Sequence, residues 1–386
     1  MVLQFFFECL VSPKDQKKIM KRICVSVSND LMCDNRVDKT CQSLAGCGLE
    51  VRLLGRRFSS SPLLEKRAYD CRRLRVWCRK NFLYYAELNL RLFFYLLFTR
   101  QNLLWANDLD TLLPNFLVAK LKRIPLIFDS HEHFTQVPEL KDNPFAQKVW
   151  KAVEKLCVKR CEGVVTVCNP IKDYFKSQYN VESVVVRNIP CQSAASKQLV
   201  PAAKKDNILV WQGAVNVERG LEELCEAMLY TDAKLIIMGQ GDIKDKLENM
   251  VKEWGIEDKV SFKGRLPFEQ MMNITRSAKI AISIDKPTNG NYAISLPNKI
   301  FEYISACIPA LVSPLCEIEP IERKYQTGVF IRSYEPKELA KQITELLSDN
   351  QSLDTMAANC RKAADCLCWE NEQKKIFELI EALRKK

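Results

Sequence analysis

The run Ser295–Ser313, SLPNKIFEYISACIPALVS, joins a helix start, a set of charges and a buried strand in one short stretch. Ser295 suits an N-cap and Pro297 a first turn, where a missing N–H costs nothing, so a helix is expected from here to about Cys307. Its free N–H groups carry partial positive charge, and Lys299 adds a full one. Glu302 lies one turn on and shares a face with Asn298 and Lys299. A diphosphate would sit well at such a place, although the spacing also suits an ordinary capped amphipathic helix with a surface ion pair. Pro309 then breaks the helix, and Ala310-Leu311-Val312 reads as a buried strand.

Working outward, the same strand-then-helix alternation fills both halves of the chain. In the second half, Ile208–Trp211, Lys234–Met238 and Ile280–Ile284 read as buried strands. Glycines follow the first two, at Gly213 and at Gly239-Gln240-Gly241, and Arg219-Gly220 opens a helix that places a planar cation beside an anion site. In the first half, Ile23–Ser28, Val51–Leu54, Leu103–Trp105, Ile124–Phe128, Gly163–Cys168 and Val184–Ile189 are strands, with helices over Asn35–Cys47, Asn81–Phe98 and Ala146–Cys161 between them. This pattern predicts an α/β protein of two Rossmann-like domains with parallel sheets. The expected divisions are an extension at 1–20, a first domain at 21–191, a linker at 192–206, a second domain at 207–368 and a C-terminal helix at 369–386.

In parallel sheets, ligands sit beyond the carboxyl ends of the strands. That rule selects Asn29 and Asp30, Asn107 and Asp108, and Ser130, His131 and Glu132 as cleft residues of the first half. Asp108 and Asp110 could also be read as a metal-holding pair, but the repeated β-α-β units favour loop residues with no metal. Both histidines of the chain, His131 and His133, lie in this one segment just past a strand.

Asp129-Ser130-His131-Glu132 and Leu296-Pro297-Asn298-Lys299 with Glu302 resemble two motifs of the family 4 retaining glycosyltransferases of bacterial cell-surface glycan synthesis. The likeness extends over about Lys21–Lys386. It implies the GT-B arrangement, an active site in the cleft between the domains, a nucleotide diphosphate sugar as donor on the second domain, and a glycan or lipid-linked acceptor on the first. It also implies retention of configuration without a cofactor. By the same resemblance His131 lies against the transferred sugar, and Arg219 and Lys299 stabilise the leaving diphosphate. Gly213, Gly239, Lys263, Gly264, Arg265, Leu296, Pro297, Asn298 and Glu302 join them in holding the donor. Ile294 stands where the family pattern has its first Glu, and Gly213 where many members carry a cation. The last helix is expected to cross back to the first domain. Two alternatives stay open: a nucleotide-sugar epimerase of the same fold, and an inactive nucleotide-sugar-binding partner protein.

The composition, 47% apolar and 27% charged over 386 residues, suits folded domains with full cores. Seventeen cysteines without CxxC pairs suit a reducing cytoplasm better than a disulfide framework. The amino end has its apolar patch before its basic residues, unlike a secretory signal, and no apolar run reaches the roughly 20 residues of a membrane span. A net charge of +11 gathers partly in Lys66, Arg67, Arg72, Arg73, Arg75, Arg79 and Lys80, interleaved with Leu74, Trp77 and Tyr84. No nucleic-acid motif accompanies it. Basic residues among large apolar ones suit peripheral docking to anionic lipid at the inner face of the cell membrane, and an ordinary solvated face is the other reading.

Overall fold

A computed structural model describes residues 20–385, apart from 32–33, 60, 62, 65, 79–80, 138–139, 141–142, 193–198 and 289, and apart from the side chains of 81, 290 and 291. The chain forms two compact units, one of residues 1–187 with 372–386, the other of 188–371. The expected extension at 1–20 lies almost wholly outside the described residues, as does the middle of the expected linker.

The first unit is built on a seven-stranded parallel sheet in the order β3-β2-β1-β4-β5-β6-β7. Its strands are β1 (Arg22–Ser26), β2 (Glu50–Arg57), β3 (Asp70–Arg75), β4 (Leu103–Asn107), β5 (Leu126–Ser130), β6 (Gly163–Thr166) and β7 (Val184–Val185). The intervening helices are α1 (Asn35–Gly46), α2 (Asn81–Phe98), α3 (Leu109–Lys122), α4 (Pro144–Cys157) and α5 (Asn169–Tyr179). β4 and β5 are buried at every position, as strands covered by helices on both faces must be. β3 carries no strand signal in the sequence: its alternating basic residues form the sheet's edge strand, paired with β2 from Arg52↔Asp70 to Arg57↔Arg75. Charge on an edge strand discourages pairing with other chains. Order in this sheet reverses between β1 and β4, and Asn107 Nδ2 donates to Ser26 O at 3.0 Å across that junction.

The second unit has a six-stranded parallel sheet in the order β10-β9-β8-β11-β12-β13. The chain runs β8 (Ile208–Gln212), α6 (Leu221–Ala227), β9 (Lys234–Met238), α7 (Lys244–Glu253), β10 (Val260–Gly264), α8 (Phe268–Ser277), β11 (Ile280–Ser283), α9 (Gly290–Ala293), α10 (Asn298–Ser305), β12 (Ala310–Val312), α11 (Glu319–Tyr325), β13 (Gly328–Phe330), α12 (Pro336–Ser348) and α13 (Asn350–Cys366). Alternate residues of each central strand feed opposite cores. Leu209, Trp211, Ile280, Ile282 and Leu311 pack in one, and Val210, Ala281, Ala310 and Val312 in the other. The last helix, α14 (Trp369–Lys385), lies with the first unit from Glu372 onward. There Glu372 accepts from Arg187 N at 2.9 Å, Lys375 Nζ donates to Val185 O at 2.9 Å, and Ser43 Oγ donates to Gln373 Oε1 at 2.9 Å. No described helix is long and apolar enough to cross a membrane.

Candidate functional site

The residues singled out in the second unit collect at the carboxyl edge of its sheet. Order reverses there between β8 and β11, which leaves a crevice beyond the strand ends. Arg219 comes from the loop after β8 and Lys299 from the first turn of α10. Both reach one carboxylate that sequence reasoning passed over, Asp285, two residues past β11. Arg219 NH1 lies 2.9 Å from Asp285 Oδ2 and Lys299 Nζ 3.1 Å from Asp285 Oδ1. Asp285 is fully buried, Lys299 nearly so, and Arg219 partly open. Each cation also lies over a ring at 4.4 Å, Arg219 on Tyr292 and Lys299 on Trp211. Burial pulls the Lys299 ammonium below its usual range, with Asp285 opposing and Arg219 adding to the fall.

The opening helix differs from its expected form. It begins at Asn298 with an extended Pro297 before it, and Ser295 Oγ donates to Tyr292 O at 2.9 Å instead of capping. A Pro at the cap position leaves the helix's first N–H groups without a side-chain acceptor, which keeps them available for an anion. Glu302 accepts from Gln212 Nε2, and Gln212 Oε1 accepts from Thr275 Oγ1 at 2.7 Å. Asn298 is exposed, and Leu296 and Ile294 are half-buried.

The glycines form the floor. Gly213 N donates to Met238 O at 3.0 Å and Gly239 N to Gly264 O at 2.8 Å, so the three loops are joined in a row. Gly239 has φ +155°, and a Cβ there would come 1.8 Å from Gly213 O. Gly220 has φ +70°, and its Cβ would meet Ile284 O at 2.5 Å, which only glycine avoids. Lys263 and Arg265 are exposed on either side of Gly264.

In the first unit, β4 and β5 end beside one another and bring together four charged groups. Asp108, with φ 56°, accepts from His131 N on Oδ1 at 2.9 Å and approaches His131 Nδ1 with Oδ2 at 3.2 Å. His131 Nε2 stands 3.6 Å from Asp129 Oδ2, and Asp129 Oδ1 accepts from Arg36 NH2 at 2.7 Å. Burial alone would discharge the imidazole, but Asp108 and Asp129 outweigh it and push its pKa up to about 10. Burial pushes Asp110 up to about 7, with Asp108 adding to the rise. Among the described residues no group of three His, Cys, Asp or Glu side chains could hold a metal ion. Asn107 is tied to β1, Ser130 Oγ donates to Glu132 O at 2.9 Å, and the Glu132 residue is exposed. Asp30 is not an open cleft carboxylate: it pairs with Arg73 at 3.2 Å and accepts from Ser61, while Asn29 bonds Asp34. His133 packs at a tilt against Tyr174 with ring centroids 4.1 Å apart, and burial lowers its pKa to about 4.

Family models agree with this division. One described as Glycosyltransferase Family 4 matches residues 34–191, and one described as Glycosyl transferases group 1 matches 193–364. Its two halves match glycosyltransferase models in turn, each over less than half of the chain. An uncharacterized glycosyltransferase of Methanocaldococcus jannaschii is 25% identical over 173 residues, 43% of this chain and 42% of that protein. The O-antigen chain mannosyltransferase of Salmonella typhimurium is 27% identical over 131 residues, 33% of this chain and 37% of that protein. The chain thus aligns with less than half the length of these curated relatives. In structure it is similar to the Anabaena protein HepE solved with UDP-glucose, with a TM-score of 0.70 at 13% identity over 94% of this chain and 99% of that one. Like that protein, this chain has the GT-B fold. Asp285 had no signal in the sequence, since an aspartate after a strand is common and both of its partners are distant in the chain.

Proposed function

We propose that the protein transfers a sugar from a nucleoside diphosphate sugar to a hydroxyl of a glycan or lipid-linked acceptor in cell-surface polysaccharide synthesis, with retention and without a metal. The observation that carries this reading is the pair Arg219 and Lys299, gathered on Asp285 beside the uncapped start of α10. Two fixed cations and free N–H groups stabilise charge as it develops on a leaving phosphate, and preorganised donors of this kind act without reorganising during the reaction. The solved HepE complex with UDP-glucose and the O-antigen mannosyltransferase support the substrate class.

The charge on His131 favours retention. As a base, it would have to give up the proton that Asp108 and Asp129 hold on it well above neutral pH. Asp30, already bonded to Arg73 and Ser61, is a poor substitute. As a cation, His131 can donate a hydrogen bond to a sugar hydroxyl, and the leaving phosphate can take the acceptor's proton.

Peripheral docking to anionic lipid belongs to the same proposal. Arg72 and Arg75 are exposed on β3, and Trp77, Leu90, Phe94 and Phe98 line a groove of about 720 Å³ beside them. Arg73 is removed from that set by its bond to Asp30, and Arg79 and Lys80 lie outside the described residues.

The test is incubation of the full chain with labelled UDP- and GDP-sugars. Transfer or slow hydrolysis with retained anomeric configuration, read by proton NMR, is expected. A changed free nucleotide sugar would mean an epimerase, and binding without turnover a binding-only protein.

A further inference from the structure

We infer that Asp285 is a positioning residue that holds Lys299 protonated and aims Lys299 and Arg219 together at the donor's diphosphate. This rests on the diphosphate reading of those two cations. Three observations carry it. Asp285 is fully buried, and each of its oxygens takes a different cation, at 2.9 and 3.1 Å. Its backbone is fixed: Tyr334 OH donates to Asp285 O at 3.1 Å, Ser313 Oγ holds that hydroxyl at 2.7 Å, and the next residue's N–H donates to Glu218 O at 2.8 Å. The last bond ties the loop of Asp285 to the loop of Arg219 at the point where strand order reverses.

The charge balance around Lys299 shows what the carboxylate does. The ammonium is buried against Trp211 on β8, faces Arg219 from the loop after β8, and has Glu302 on its own helix. Tyr303, from the same helix, lies near both Asp285 and Glu302, and Tyr334 and Lys286 border the Asp285 side. Burial and Arg219 favour the neutral amine. Asp285 is the main group opposing them. Without it, two like charges share a dry site, and the lysine is the one that can lose its proton, because a guanidinium does not titrate.

The test measures UDP and GDP affinity by calorimetry between pH 7 and 9. For the wild type, affinity is expected to change by less than about threefold. In Asp285→Asn it should fall roughly tenfold or more as pH rises, one pH unit above a pKa being a tenfold loss of the charged form. Adding Lys299→Arg to Asp285→Asn should flatten the profile again, a rescue that no purely structural role would produce. A flat profile in Asp285→Asn overturns the inference. Should that variant not fold, Asp285→Glu keeps the charge but shifts it by one methylene. Turnover reduced at least tenfold with a flat profile then supports the aim, and unchanged turnover overturns it. Lys299→Ala separates this from the reading beneath it: wild-type affinity for both nucleotides at pH 7 would mean that the diphosphate lies elsewhere, whatever Asp285→Asn does.

Discussion

Asp108 grips His131 twice, with one carboxylate oxygen 2.9 Å from the backbone nitrogen and the other 3.2 Å from Nδ1. The side chain is thereby fixed by its own main chain's partner. Because the imidazole pKa is raised from 6.5 to about 10, the folded state binds a proton that the unfolded state releases between those values. The resulting stability is complete below about pH 6.5 and is lost as pH climbs towards 10. Urea titrations of wild type and His131→Gln should therefore converge as pH rises across that window, from a difference on the order of a few kcal/mol. A gap that stays constant would mean that the imidazole is neutral throughout.

Removing either cation from Asp285 should affect the reaction more than the binding of donor. Arg219→Ala and Lys299→Ala are each expected to cost about 2 to 4 kcal/mol of transition-state stabilisation, seen as a fall in kcat larger than any rise in KM. Unchanged turnover in both would place the leaving group's partners elsewhere.

Transfer should persist in EDTA, since Arg219, Lys299 and the start of α10 already supply positive charge. Activity lost on chelation and regained with Mn²⁺ or Mg²⁺ would revive the metal reading of Asp108 and Asp110.

Gly239→Ala should abolish donor binding. Its Cβ would fall within bonding distance of Gly213 O, so the glycine row must open, at a cost of about 3 kcal/mol or more in stability. Thermal melts with and without UDP would show a lowered Tm and no shift on adding nucleotide.

Lipid docking predicts that Arg72→Gln with Arg75→Gln loses about 2 kcal/mol of affinity for anionic vesicles, at about 1 kcal/mol per side chain. The loss should shrink at high salt. Equal pelleting of this variant and wild type would leave the charge as ordinary solvation.

Much of this architecture was legible because buried parallel strands are continuous apolar runs, and β4, β5, β8 and β11 have that form. The edge strand β3 was not, because its charged sequence, DCRRLR, carries no such run. Within the site, Arg219 and Lys299 announced themselves by charge and by helix starts. Asp285 did not, for its meaning lies in contacts 66 and 14 residues away. The same limit hid the Asp30–Arg73 pair and gave Ser295 a capping role that Pro297, one step from the helix, had already taken.

The placement of α14 gives the molecule an order of completion. The first unit leaves the ribosome first, yet Arg187, Val185 and Ser43 wait for partners at Glu372, Lys375 and Gln373, which are translated only after the whole second unit. The second unit has all of its residues, 188–371, before that helix emerges. Nascent chains stalled before residue 372 should thus hold a finished second unit and an unfinished first one, the reverse of the usual vectorial sequence.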